Sequence, residues 1–441
     1  MSNRSIYGAY GIRGIWGKDL DEKIARDLGR AFAEYLKPKR VAVARDGRMS
    51  SPAMSRALID GLRGQGVDVV DIGLIPIDAF YFAIDHFKFD GGAMVTASHN
   101  ASEWNGVKFV DGNAQLLTGN KNKELGALIA NGFSPDSNVG TLTEQRVIDD
   151  FVAFILSIAG FKGGRRLTVV VDPGNGAASA VLPALFAVLP FEWSVINGEI
   201  DGTFPGRGPD PKAKGVLEAL GRVVVERRAD VGIAFDADGD RMFLVDDKGR
   251  ALIGEETGIL LARYLLASRP GSSFVYNVVC SHSVRDLIAL AGGVPVRTGV
   301  GSVYMMPEIA RSNAVMGIET SGHYILREYH MLDSGLAPAA LALAALAAET
   351  RPLSVIRAGL DPYAHDRVDL LVEHPEDKIE RVRVRYRDAI LDELDGTTVE
   401  YPDWWFNIRM SKSEPYLRIT IEAKKRDDME RHFKELLALI G

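Results

Sequence analysis

The sequence predicts an α/β protein of several domains, three of them related and the last a smaller α+β domain, and three observations carry that expectation. A strand, turn, helix, strand order occurs at residues 40–72 and returns with strands opening at 167 and 273. Each occurrence is followed downstream by an apolar strand that ends in a polar, glycine-bearing loop: AMVTASHN around Ser98, VGIAFDADGDR at 231–241 and AVMGIETSGHY at 314–324. After Arg351-Pro352 the texture changes to alternating strands and charged helical stretches. This is a repeat of arrangement rather than of residues, so it places three loops at equivalent points on three similar scaffolds. Ligands of open α/β sheets sit near strand ends, and the three loops are therefore expected to converge on one cleft.

Taken in order, residues 7–14 form a glycine-punctuated loop carrying Tyr10 and Arg13. Strand 40–44, the turn Arg45-Asp46-Gly47-Arg48, helix 51–62 and strand 67–72 make the first βαβ unit. In the stretch 91–108, GGAMVTASHNASEWNGVK, the apolar run 93–95 is a short buried strand and Asn105-Gly106 a turn that folds Lys108 back toward Ser98. The second unit enters Asp172-Pro173-Gly174-Asn175-Gly176 from strand 167–171 and continues as a helix to about residue 188. Strand 273–278, helix 284–290 and strand 294–298 form the third, and the alanine- and leucine-rich run 336–348 is a packed helix too short to span a bilayer. The last domain reads as strand 366–372, a charged helical stretch 378–394, strands 404–410 and 416–423, and a closing amphipathic helix 428–440.

Composition narrows the function. At 441 residues the chain has room for roughly three domains with ample core. Its net charge of −7 argues against a general nucleic-acid or anionic-membrane binder, so any acidic ligand requires a local basic pocket. The single cysteine, Cys280, excludes an internal disulfide and a cysteine-based metal site. The first residues, MSNRSIYGAYGIRG, hold no apolar signal region, and a cytoplasmic protein is expected.

The loops carry the chemistry. Ser98, at the tip of a strand-ended loop, is a candidate nucleophile with Lys108 able to move a proton, although a serine beside His99 and Asn100 is also what an ordinary turn looks like. Asp236, Asp238 and Asp240 alternate, and in an extended segment their carboxylates point to one side as three hard oxygen ligands, for which Mg²⁺ is the natural ion. An EF-hand is excluded, because Arg241 stands at the sixth position where glycine is required and a strand leads in. Glu319, Ser321 and His323 alternate in the same way and offer donors and acceptors to paired sugar hydroxyls, or else form a plain polar turn. The hairpin RMSKSEPYLR gathers Arg409, Ser411, Lys412, Ser413 and Arg418, a phosphate cradle or a basic surface hairpin.

These residues together resemble the α-D-phosphohexomutases, the phosphomannomutase and phosphoglucomutase superfamily. TASHN with Asn105-Gly106 and Lys108, then DADGDR, then Glu-x-Ser-Gly-His, then Arg-x-Ser-x-Ser follow in the family's order over the whole chain. Arg45-Asp46-Gly47-Arg48 with Ser50-Ser51, and Tyr10 with Arg13, match as well. The resemblance implies four domains around a central cleft, the first three mixed α/β sandwiches, which we place at 1–143, 144–246, 247–360 and 361–441. It implies that Ser98 is carried as phosphoserine and that Mg²⁺ is held by Asp236, Asp238, Asp240 and a phosphoryl oxygen on Ser98. Hexose 1- and 6-phosphates would interconvert through a hexose 1,6-bisphosphate, which also serves as activator. Lys108, Arg13 and His323 join Ser98 as catalytic groups. Tyr10, Arg241, Glu319, Ser321, Arg409, Ser411, Lys412, Ser413 and Arg418 would bind substrate, the hairpin holding the non-reacting phosphate.

The partners implied are small hexose phosphates, with neither nucleic acid nor membrane, for a monomer or homodimer. Alternatives are a phosphoglucosamine mutase of the same fold, a metal-dependent phosphatase, and an inactive sugar-phosphate-binding paralogue. The chain departs from the family at Gly11, usually Asp, at Val279, usually Lys, and at Ser302, usually His. The stretch FPGRGPDP at 204–211 replaces FPNHHPDP.

Overall fold

The computed structural model describes residues 6–8, 11–133, 138–411 and 416–441. Two compact units are present, Met1–Ala251 with Leu332–Leu353 in the first and Leu252–Met331 with Ser354–Gly441 in the second. Among the described residues no helix is long and apolar enough to cross a membrane.

The predicted repeat of arrangement is present three times. In the first unit, Arg40–Arg45 lies parallel to Asp68–Leu74 on one side and to Gly91–Val95 on the other, and Gly91–Val95 then pairs antiparallel with Trp104–Asp111. Thr168–Asp172 likewise stands between Glu192–Val195 and Val231–Phe235, both parallel, and Val231–Phe235 pairs antiparallel with Met242–Asp246. In the second unit Ser273–Asn277 has Val294–Thr298 and Met316–Ile318 as parallel neighbours, and Met316–Ile318 pairs antiparallel with Tyr324–Leu326. In each case one loop joins the last parallel strand to its antiparallel partner. These are the loops of Ser98, of Asp236 to Asp240, and of Glu319 to His323.

Helix placement follows from sequence. Glu22–Leu36 starts at Asp21, whose carboxylate accepts from the Ile24 amide at 2.7 Å, and its apolar face packs on Ser51–Arg63. Gly29 and Gly61 allow that approach, because a Cβ at either would strike the opposite backbone at Leu58 or Arg26. Leu336–Ala348, buried at all but its last residue, packs within the first unit against Ile148–Ala159. In the second unit the strands Ala364–Leu371, Tyr416–Ala423, Trp404–Met410, Thr397–Glu400 and Ile390–Asp392 form an antiparallel sheet in that order. Helices Pro375–Arg385 and Arg426–Ile440 share its apolar core through Val382, Met429 and Leu436.

Four sequence expectations need correction. The stretch 7–14 is not a loop: Gly11–Ile15 is a strand that pairs antiparallel with Trp104–Asp111 and carries Arg13 opposite Gly106. The stretch 378–394 is not one helix: the helix ends at Arg385 and Ile390–Asp392 is an edge strand. Asn105-Gly106 is no turn but lies inside strand Trp104–Asp111, where Met94 faces Lys108. Glycine is needed there because a Cβ would collide with the Ile12 carbonyl of the neighbouring strand, a close approach rather than a reversal. The acidic loop is not extended; residues 237–239 bend, with Gly239 at φ +84°.

Candidate active site

Ser98 is 3% exposed and sits at φ +50°, a left-handed conformation that costs a side-chain-bearing residue about 1–2 kcal/mol and must be held by its surroundings. Its amide donates to Thr96 Oγ1 at 2.9 Å. Its carbonyl accepts from Arg48, a fully buried arginine whose fork also reaches the carbonyls of Asn100, Ala101 and Trp104 at 2.7, 2.7 and 3.0 Å. Asp46 fixes that arginine, accepting from its Nε at 3.1 Å while Ser51 donates to the other carboxylate oxygen at 2.6 Å. The Ser98 loop is thereby wrapped around one guanidinium. Arg13 adds a further hold through Asn100 Oδ1 at 2.8 Å.

Ser98 Oγ stands 3.1 Å from His99 Nδ1 and 3.3 Å from Asp236 Oδ2. Asp236, Asp238 and Asp240 are all buried, and one carboxylate oxygen from each lies within 4.8 Å of the others. Asp236 accepts from the amides of Gly239 and Arg241 at 3.2 and 3.1 Å and from Arg241 Nε at 3.0 Å, so the bend itself aims its carboxylate inward. Lys108 Nζ bridges Asp238 and Asp240 at 3.2 and 3.0 Å, and Thr96 Oγ1 donates to Asp238 at 3.2 Å. Burial first, then the neighbouring Asp240, raises Asp236 to about 7. Lys108 is moved upward despite burial, because Asp238 and Asp240 outweigh it, and His99 is lowered to about 4 by burial and by Arg241 and Arg13.

The triad fits a hard divalent ion. Asp238 Oδ1 is buried and accepts no hydrogen bond among the described residues, and one oxygen from each of the three carboxylates lies within 4.8 Å of the others, a spacing one divalent ion can bridge beside the Lys108 and Arg241 ion pairs. Oxygen-only donors with no cysteine and no paired histidine suit Mg²⁺ better than Zn²⁺.

In the second unit, Ser321 Oγ donates to Glu319 Oε2 at 3.0 Å and lies 2.8 Å from His323 Nδ1. Gly322 at φ +88° turns the loop so that these three side chains meet, and Glu319 Oε1 is buried with no partner among the described residues. Arg409 and Arg418 are directly opposed across the ladder of Trp404–Met410 and Tyr416–Ala423. Burial chiefly, and Arg418 in addition, lowers Arg409, a strain that an anion would relieve. The Ser411 amide donates to the Tyr416 carbonyl at 2.8 Å, closing the root of the hairpin. Tyr10, Lys412 and Ser413 lie outside the described residues.

Three family models described as phosphoglucomutase/phosphomannomutase alpha/beta/alpha domains match this chain, domain I at residues 4–135, domain II at 148–249 and domain III at 253–363. The chain belongs to the phosphoglucomutase/phosphomannomutase family. A phosphomannomutase of Salmonella montevideo is 34% identical over 457 residues, covering 100% of both chains. A probable phosphoglucosamine mutase of Methanopyrus kandleri is also 34% identical, over 96% of this chain and 94% of that one. Among solved structures, a phosphoglucomutase/phosphomannomutase family protein from Burkholderia thailandensis superposes with a TM-score of 0.90 at 31% identity, covering 100% and 98% of the two chains.

Family membership leaves this chain's own departures to be explained, and the structure gives two of them a physical account. Gly11 has φ +150°, and a Cβ there would press on the Val107 carbonyl and on Lys108 Cγ. Arg207, within FPGRGPDP, donates to Asp172 Oδ2 at 2.9 Å and to the carbonyl of Phe235, the residue before Asp236, so it clamps the root of the acidic loop. Asp210 of the same stretch pairs with Arg241 at 3.4 Å. In the sequence, Asp46, Arg48, Arg207 and Asp210 stand only within matching or departing motifs. Their work is done between strands far apart in the chain, and no local pattern announces it.

Proposed function

We propose that this chain is a phosphohexomutase interconverting hexose 1-phosphate and hexose 6-phosphate through phosphorylated Ser98 and a hexose 1,6-bisphosphate. The carrying observation is a serine held in a strained backbone conformation with Oγ 3.3 Å from one carboxylate of a buried aspartate triad. Asp236, Asp238 and Asp240, with an oxygen of phosphorylated Ser98, would hold Mg²⁺, which when bound offsets negative charge on the transferring group.

In the forward half, the P–Oγ bond of phosphorylated Ser98 breaks as a P–O bond forms to the free hydroxyl of the sugar monophosphate. The hydroxyl proton leaves at the same time. In the return half the bisphosphate, turned end for end, gives its other phosphoryl to Ser98 Oγ. His99, neutral beside the free serine and 3.1 Å from Ser98 Oγ, is placed to take the Ser98 hydroxyl proton as Oγ attacks in the return half and to give it back to the leaving Oγ in the forward half. Lys108, held charged by Asp238 and Asp240, acts with Arg13 as fixed positive charge beside the phosphoryl group. Glu319, Ser321 and His323 would take sugar hydroxyls. Arg409, Ser411 and Arg418, with Lys412 and Ser413, would anchor the non-reacting phosphate in both orientations, and Arg241 and Tyr10 would complete the substrate contacts.

A coupled assay over the 1-phosphates of mannose, glucose and glucosamine, each primed with a catalytic amount of its 1,6-bisphosphate, tests this reading. The equal identity to a phosphomannomutase and to a probable phosphoglucosamine mutase puts the amino sugar in that panel. Mass spectrometry after bisphosphate treatment should find one added phosphoryl on the Ser98 peptide and none in Ser98→Ala. Full turnover by Ser98→Ala would overturn the proposal.

A further inference from the structure

We propose a second cation site, separate from the aspartate triad, formed in the second unit by Asp361, His365 and Glu422 and suited to a borderline divalent transition-metal ion, Zn²⁺ or Mn²⁺. His365 and Glu422 are directly opposed across the ladder of Ala364–Leu371 and Tyr416–Ala423, and Asp361 stands four residues before His365. One donor atom from each of the three lies within 4.8 Å of the others.

The two carboxylates are each tied down by one oxygen only. Glu422, 2% exposed, accepts the His282 amide at 3.0 Å and the Trp405 indole N–H at 2.8 Å on Oε1, while its buried Oε2 has no hydrogen bond among the described residues. The Ser281 hydroxyl also faces this carboxylate, but its single proton is contested by Ser283 Oγ at 2.5 Å and Asp361 Oδ1 at 3.4 Å. Asp361 Oδ1 is within reach of Ser281 and Ser283, and its Oδ2 lies 3.2 Å from His365 Nδ1. That nitrogen is buried and within ion-pair distance of Oδ2, which raises the imidazole, but it is poorly aligned for N–H donation. Two ligands sharing an ion at bond lengths of about 2.0–2.2 Å stand about 3.0–3.5 Å apart with neither pointing at the other.

An ion pair between His365 and Asp361 alone would leave Glu422 Oε2 with no donor but the contested Ser281 hydroxyl. Arg367, a cation that also feels the Glu422 carboxylate, is engaged with Glu255 and the Val279 carbonyl. A metal ion satisfies all three donors together, and the ties from Ser281, Ser283, Trp405 and the His282 amide supply the outer hydrogen bonds that orient metal ligands. One imidazole with two carboxylates suits Zn²⁺ or Mn²⁺, whereas Mg²⁺ and Ca²⁺ prefer oxygen throughout. A pocket of about 290 Å³ whose wall includes His282, Trp405 and Glu422 lies on the Glu422 side of the site.

The full chain, stripped with a chelator and returned to millimolar Mg²⁺ to fill the triad, is titrated calorimetrically with ZnCl₂ and with MnCl₂. One equivalent should bind, and the thermal midpoint should rise. Removing a ligand should weaken binding by about 100-fold or more, since loss of outer-sphere partners alone costs about 10–100-fold. His365→Ala tests this, as does Glu422→Gln, which keeps an acceptor for Trp405 and His282. Asp236→Asn should leave the second equivalent in place. In the unmodified protein, Mn²⁺ should broaden the ring resonances of His365 and the neighbouring His282 before those of the other histidines, a reading that needs no variant to fold. No equivalent taken up in Mg²⁺, or unchanged uptake by folded His365→Ala, or an unbroadened His365 resonance, would overturn the site.

Discussion

Replacing Arg48 by lysine should separate the positioning of Ser98 from its chemistry. Arg48 makes five hydrogen bonds, one to Asp46 and one to each of four backbone carbonyls of the Ser98 loop, at 2.5 to 3.1 Å. A lysine keeps the charge but has three donors on one atom and cannot span carbonyls spread over residues 98–104. At least two of the five bonds are lost, and at about 1.5–3 kcal/mol for each bond to a charged donor the loss is about 3–6 kcal/mol. That exceeds the 1–2 kcal/mol or so needed to hold Ser98 at φ +50°, so the serine relaxes toward an ordinary backbone conformation. A displacement of about 1 Å at a reacting atom costs about 100-fold in rate. The expectation is a kcat about 100-fold lower, a KM for hexose 1-phosphate within about 3-fold of the parent, and reduced phosphoryl uptake on Ser98 by intact mass. Urea unfolding of the same sample reads the stability loss independently. A kcat within a factor of about two of the parent, with an unshifted urea midpoint, would refute the claim that this guanidinium holds the loop.

Chelation should abolish phosphoryl transfer while leaving the circular dichroism unchanged, and added Mg²⁺ should restore it; turnover persisting in excess EDTA rules out the triad as the working metal site. Arg409→Ala should raise KM for sugar phosphate by about 10–100-fold, the worth of one charged hydrogen bond, without lowering the thermal midpoint, because Arg418 loses the like charge opposite it. Asp78 is fully buried, accepts from Ser334 Oγ at 2.9 Å and the Leu336 amide at 3.0 Å, and burial above all raises it to about 7. The folded protein therefore holds a proton that the unfolded chain releases near pH 4, so this group's contribution is full below about pH 4 and is lost as pH rises through about 7, by up to about 4 kcal/mol. Urea midpoints from pH 4.5 to 8 should show that falling slope in the parent and a shallower one in Asp78→Asn, where Asp236 still contributes, and equal slopes would remove Asp78 as a source.

What was legible in the sequence was what local pattern encodes. Strand, loop and strand recurred three times in residue types, and each loop found that way carries the side chains expected of it: Ser98, the three aspartates, and the group Glu319, Ser321 and His323. Asn105-Gly106 misled because a glycine demanded by a turn and a glycine demanded by close strands look alike until the neighbouring strand is present. The charged stretch 378–394 misled because its helix stops at Arg385 and only pairing with Thr397–Glu400 turns Ile390–Asp392 into a strand. Arg48 and Arg207 were invisible as agents for a related reason. Each gathers carbonyls that come together only after the sheet has formed, 50 to 56 residues away for Arg48 and 28 to 35 for Arg207.

The same logic bears on Val279, where relatives resembling this chain have a lysine. Read as a column in a motif, valine there is the loss of a cation. In the structure a cation nonetheless arrives, since Arg367 from the strand Ala364–Leu371 donates to the Val279 carbonyl at 3.1 Å and pairs with buried Glu255. An arginine engaged in that way is fixed by a carboxylate. The local charge is thus kept. The sequence read position by position shows valine without a cation, whereas the folded chain brings one to the Val279 carbonyl from another strand, already paired with Glu255.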